Sequence, residues 1–273
     1  MVETLHQAEI DWGSECYYAV GESVLPSVDE EPNRDKAYQK AKGYGRMKAV
    51  ANLLTAVRQT PVSYNAAGAN YLDTDNQLER AVEESAANAV IVEDRTRIDG
   101  SETVVAVTVR GAMYGPEAPA SAILRARFQQ GPQEDTARVK VEKQRDAASD
   151  ATSTGAQPPF TSLIVDCSGL DVERSMSPKI RKADGSEIWG TLTVDYDFLQ
   201  DRGIVAYAQN IGEAKKCDRA GSNPLVIKAV GRAGSRFMCD AVISDSDADL
   251  ALKQNQASHF LDEFDVIFVV DAG

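Results

Sequence analysis

Histidine is almost missing from this chain: two stand in 273 residues, His6 and His259. That scarcity removes the material for Ser-His-Asp triads and for histidine-based zinc sites. Cysteine is nearly as rare. Cys16, Cys167, Cys217 and Cys239 are widely spaced with no CxxC pair, so thiolate metal ligation has no framework. Long apolar runs are lacking, and none approaches the ~20 residues that span a bilayer. A basic surface is lacking too: 42 Asp and Glu face 29 Lys and Arg, a net charge of −13 that repels nucleic acid and anionic membrane. No GxxxxGK[ST] phosphate loop occurs, and Gly43-Tyr44-Gly45 lies inside a helical pattern. The opening MVETLHQAEIDWG carries neither the basic nor the apolar region of a signal peptide. These absences point away from an enzyme, and no metal or cofactor is expected.

What is present reads as α+β in two domains, each a mainly antiparallel sheet with helices packed on one face. The expected division is an N-terminal domain at 1–128, a polar linker at 129–159 and a C-terminal domain at 160–273. The linker lacks aromatics and is rich in charge, Ala, Ser, Thr, Gln and Pro, with a short strand around Ala137 to Val141 as its exception. In the first half, alternation marks a strand over Ala8 to Glu22. A long helix over about Arg34 to Gln59 follows, with an apolar stripe through Ala37, Ala41, Tyr44, Met47, Val50, Leu54 and Val57. Its small residues Ala37, Ala41, Gly43 and Gly45 suit close packing between subunits. A helix at Asp75 to Ala87 precedes a hairpin, Ala89 to Ile98 and Thr103 to Met113, turned at Asp99-Gly100. The second half reads as strands Ser162 to Asp166, Glu187 to Val194, Ile204 to Tyr207, Leu225 to Val230, Arg236 to Ile243 and Asp265 to Val270. Gly231 to Gly234 reads as the turn of a hairpin joining the fourth and fifth of these. Helices are expected near Phe198 to Asp201, Ile211 to Cys217 and Asp245 to Gln256.

The chemistry-bearing candidates are few. Asp166 ends an apolar strand, and with Ser168 and Asp171 it forms a candidate ligand-binding pocket. The competing reading is an Asx-type turn in which Asp166 and Ser168 bond turn amides and Gly169 takes a positive φ. Lys179, Arg181 and Lys182 are the basic residues that would pair with Asp166, bind an anion, or line a solvated strand. The run Ser244-Asp245-Ser246-Asp247-Ala248-Asp249 starts like a calcium loop, but Leu250 stands where that loop needs Gly and Gln256 where it needs Glu. A helix cap explains it better, as it does Asp73 and Asp75. Cys217 and Cys239 are the preferred disulfide pair; four free thiols are the alternative. Trp12, Tyr17, Tyr18 and Trp189 read as core or interface.

Three blocks carry a family resemblance. The first is YYAVGESVLP after Asp11-Trp12, with YQKAKGYGRMKAVANLLTAV and TPVSY. The second is VIVEDRTRIDGSETVVAVTVRGAMYG. The third is TSLIVDCSGLDVERSMSPKI with ADGSEIWG, NPLVIKAVG and CDAVISDSDADLAL. Together they resemble the bacterial envelope lipoproteins of the twenty-kilodalton lipoprotein type, and the N-terminal domain of flagellar assembly protein T. The resemblance implies a non-catalytic protein of the periplasm or outer membrane, exported with a leader that this sequence does not contain. It implies action through protein–protein contacts with itself or other envelope proteins, as a ring, disc or filament. Peripheral membrane or cell-wall association belongs to the same expectation. An envelope module that binds a cell-wall fragment or a cation near Asp166 to Asp171 is the alternative.

Overall fold

A computed structural model of the chain describes residues 2–5, 7–130, 136–142, 158–190 and 202–271. His6 and the helix expected at Phe198 to Asp201 lie outside them, as does most of the expected linker. The chain forms two compact units. One comprises Val2–Gln59 and Ala69–Ile123; the other comprises Thr60–Gly68 and everything from Leu124 onward. Thr60–Gly68, expected in the N-terminal domain, therefore belongs with the C-terminal unit.

The N-terminal unit opens with β1 (Val2–Leu5), β2 (Ala8–Asp11) and β3 (Cys16–Val24), followed by α1 (Arg34–Gln59). The chain then lends β4 (Pro61–Ser63) and β5 (Ala66–Ala67) to the other unit. It continues through α2 (Gly68–Leu72), α3 (Asn76–Ala87), β6 (Val90–Asp99), β7 (Glu102–Ala112) and the start of α4 (Pro119–Gln129), which passes to the other unit at Leu124. The sheet is antiparallel throughout, in the order β1-β2-β3-β7-β6. Its inward side chains, Ile10, Tyr17, Val105, Val107 and Val109, are fully buried. Trp12 and Tyr17 are core residues, and Tyr18 is half-buried. Asp75 caps α3 by accepting from the Gln77 and Leu78 amides, as its sequence context predicts.

Helix α1 lies on β3 and β7 with a face that keeps Ala37, Ala41 and Val57 of the expected stripe but not Tyr44 or Met47. Ala37, Ala41, Gly45, Ala49, Leu53, Ala56 and Val57 are buried, while Tyr44 and Met47 point to solvent. The small residues thus pack on the unit's own sheet, and only Gly43 of the four expected at a subunit contact is exposed. The reason is the closeness of the two layers. A Cβ at Gly21 would stand 2.1 Å from the Gly45 carbonyl oxygen and 2.2 Å from the Ala49 nitrogen. Only glycine lets a strand and a helix approach backbone to backbone here.

The C-terminal unit adds β8 (Arg138–Val141), β9 (Ser162–Asp166), β10 (Ile180–Lys182), β11 (Glu187–Trp189) and β12 (Ala206–Ala208). After α5 (Ile211–Ala214) come β13 (Pro224–Lys228), β14 (Gly231–Gly234), β15 (Asp240–Ile243), α6 (Asp245–Ser258) and β16 (Val266–Val269). Two sheets result, ordered β11-β10-β15-β14-β8 and β12-β16-β9-β13. The first is antiparallel except for β10 against β15, whereas every pairing of the second is parallel. Runs such as Leu163-Ile164-Val165 and Val266 to Val269, buried on both faces, suit that parallel arrangement.

One local expectation holds and another changes. The polar segment supplies β8, as the short-strand exception anticipates, and β8 pairs with β14. Gly231 to Gly234 is itself this strand rather than a turn, so β15 pairs with β14 while β13 joins β9 in the other sheet. Cβ atoms at Gly231 and Gly234 would stand 2.1 Å from the Lys140 oxygen and 1.9 Å from the Phe237 oxygen. Those glycines serve close backbone approach within a sheet.

Candidate functional site

The four strands of the parallel sheet run the same way, so their carboxyl ends gather at one edge. Such an edge is where ligands commonly sit in open parallel sheets. Asp166 ends β9, Lys228 ends β13, and Asp271 follows β16. Asp166 Oδ1 accepts from the Ser168 amide at 3.0 Å and its hydroxyl at 2.6 Å. Lys228 Nζ reaches Asp166 Oδ2 at 3.0 Å and donates to the Ser168 carbonyl at 3.0 Å and hydroxyl at 2.9 Å. Gly169, with φ of 79°, donates its amide to Asp271 Oδ2 at 2.8 Å.

Asp166 and Ser168 therefore meet, in the Asx-type turn. Asp171 does not join them: its exposed carboxylate lies 3.7 Å from Arg232, and its carbonyl accepts from the same guanidinium. Burial pushes the Asp166 carboxyl up, but the Ser168 hydrogen bonds and Lys228 outweigh it and hold it below the ordinary aspartate value. Both carboxylate oxygens are thus engaged inside the chain. The arrangement orders a loop and keeps Asp166 ionised.

Lys228 is the partner that sequence reading misses. Lys179 instead pairs with Glu187, Arg181 with Asp240 and Lys182 with Asp249. The available signal is positional. Pro224–Lys228 ends in a cation as Ser162–Asp166 ends in an anion, and the parallel register puts Lys228 beside Asp166. Arg181 and Asp240 form a deeply buried pair at 2.7 Å, with the Lys179 amide also donating to Asp240 at 3.0 Å. Burial raises the Asp240 carboxyl further than Arg181 lowers it.

All four cysteines are free, so the expected Cys217–Cys239 bridge is not formed. Cys217 packs against a cluster of Ile164, Ala208, Ala214, Ala220, Ile267 and Val269. Cys239 is buried beside Asp240, with Sγ 3.6 Å from Oδ1. Burial pushes the Cys167 and Cys239 thiols up, the opposite of what activates a nucleophile. Ser244 caps α6 by accepting from the Asp247 amide, which accounts for the acidic run. Among the described residues no His, Cys, Asp or Glu group is arranged to hold a metal ion.

A second feature lies in the N-terminal unit. Strand β6 closes one side of its sheet, and among the described residues no strand pairs with its outer edge. Nearly all of its ten residues are exposed. Four are apolar: Val90 at 51%, Ile91 at 37%, Val92 at 45% and Ile98 at 81% exposure. Its charges pair within the unit, Glu93 with Arg95 at 2.6 Å and Arg97 with both Glu22 and Asp99 at 2.8 Å. Asp94 pairs with Lys42 of α1. A long edge strand with exposed apolar side chains is a template for strand addition.

The fold and these two features define an α+β protein of two units with a closed, self-bonded loop at one sheet end and an open strand edge. Residues 162–272 match the family described as Treponema pallidum Tp0624, second domain. This is a bacterial family, and the match covers the C-terminal residues from β9 onward. No curated protein matches the chain. Among the described residues, no helix is long and apolar enough to cross a membrane.

Proposed function

We propose that this chain is a non-enzymatic cell-envelope protein, periplasmic or outer-membrane-associated, that works through protein–protein contacts and assembles with itself. The observation that carries the reading is the β6 edge, ten residues long and without a neighbouring strand on its outer side among the described residues. Leaving that edge bare in water is a hazard that assembly removes. The compartment in this reading rests on the resemblance of the sequence to envelope lipoproteins and to flagellar assembly protein T alone. Light scattering on the purified chain, from low micromolar to high micromolar concentration, tests it. The weight-average mass is expected to rise with concentration above the 29.5 kDa of one chain. A constant monomer mass, with no envelope protein co-purifying, would sink the proposal.

The alternative, a module binding a cell-wall fragment or a cation near Asp166 to Asp171, draws on the gathering of strand carboxyl ends there. It is weaker because Asp166 and Ser168 bond each other and Lys228, and Asp171 stands apart.

A further inference from the structure

The sequence of β6 reverses its charge halfway along. Glu93 and Asp94 precede Arg95 and Arg97, with Val90 to Val92 before them and Ile98 after. Charges on an edge ordinarily keep other strands away. These would match a reversed copy of themselves. We infer that the outer edge of β6 pairs antiparallel with β6 of a second copy, about a two-fold axis at Arg95. This rests on the assembly reading above and names its partner.

Register follows from elimination. The two copies present the same backbone groups, so allowed registers differ by two residues, which also keeps each side chain on its own face. With the axis at Arg95, Glu93 faces the partner's Arg97 and Asp94 faces the partner's Thr96, each contact made twice and all within the regular part of the strand. Placing the axis at Thr96 sets Glu93 against the partner's Asp99 and Arg95 against the partner's Arg97, opposing like charges throughout. Placing it at Asp94 sets Asp94 against itself and pairs only Glu93 to Arg95 within the regular part of the strand, which begins after the bulge between Ile91 and Glu93. The Arg95 axis carries one like-charge contact, Arg95 with itself. That contact is softened by Glu93, which already bonds Arg95 on the same strand.

The bulge between Ile91 and Glu93 interrupts the ladder at one end of the paired segment and confines the contact to its regular part. An isologous contact of this kind closes at two copies. Any ring or filament is then built from dimers through another surface.

Charge exchange tests the pairing by sedimentation velocity. Glu93→Arg and Arg97→Glu each put like charges opposite one another twice, and each is expected to weaken the dimer at least about tenfold. An equimolar mixture of the two variants restores both matches between unlike chains and is expected to dimerise as the wild type does. So is the double variant in one chain. Circular dichroism melts matching the wild type show that the variants fold, and recovery in the mixture shows it independently. A wild-type oligomer untouched by either single variant overturns the pairing while leaving the assembly reading in place. Two folded monomeric variants that fail to associate when mixed also overturn it. A wild type that is monomeric at every concentration overturns both.

Discussion

Two aspartates show how a carboxylate can hold a fold together in opposite ways. Asp240 is fully buried against Arg181, and its removal strands a buried guanidinium. Asp240→Ala is expected to cost about 3–5 kcal/mol, read as a lower unfolding midpoint in denaturant. Asp166 is partly solvated, and its pKa is depressed below the ordinary 3.8. Its contribution is therefore in place above the unfolded-state pKa and is lost as pH falls through the lower folded-state value. Asp166→Ala is expected to lower stability by about 1–2 kcal/mol at neutral pH and to approach wild type in strong acid. Thermal melts at the two pH values check this. A cell-wall fragment or cation that stabilises the wild type but not this variant would revive the ligand-binding alternative. The turn at Asp166 and the caps at Asp75 and Ser244 were legible because their chemistry is local, spanning two or three residues. Lys228 was hidden because it comes from 62 residues along the chain. The cysteine pairing failed for a related reason: nearness in sequence says nothing of whether two thiols face each other.

Among elements, α1 carries the clearest lesson. Its existence, length and ends were readable from periodicity, but its buried face only in part. The expected stripe holds at Ala37, Ala41 and Val57 and fails at Tyr44 and Met47, because packing continues the small-residue spacing of four through Gly45 and Ala49. Where a helix must lie flat on a strand, absence of side chain is the apolar signal. Gly21→Ala is accordingly expected to cost about 3 kcal/mol or more, since the obstructing atoms are backbone and cannot rotate away. Gly43→Ala, on the open face with nothing within 4 Å, is expected to stabilise by about 0.5–1 kcal/mol. Chemical denaturation of the pair checks the opposite signs. The hairpin of β6 and β7 was legible from alternation and from Asp99-Gly100. The parallel sheet was not read, since each half was expected to be mainly antiparallel, although the apolar runs without alternation in β9 and β16 are what strands buried on both faces show.

At the scale of the molecule, composition was poor at drawing boundaries. The polar segment after residue 129 reads as a spacer with one short strand, and that strand, Arg138–Val141, joins a sheet of the C-terminal unit. Thr60–Gly68 is claimed by that unit through long-range bonds. The Pro61 and Val62 carbonyls accept from Met176 and Ser177, and the Tyr64 carbonyl accepts from the Arg236 and Phe237 amides. The family match at 162–272 spans neither piece. The central claim, that the chain works by assembling through β6, is local enough to be read peptide by peptide. Hydrogen–deuterium exchange over Val90–Asp99 should slow as protein concentration rises, and Glu93→Arg should abolish that dependence. Exchange in this strand that is equally fast at every concentration would contradict the account.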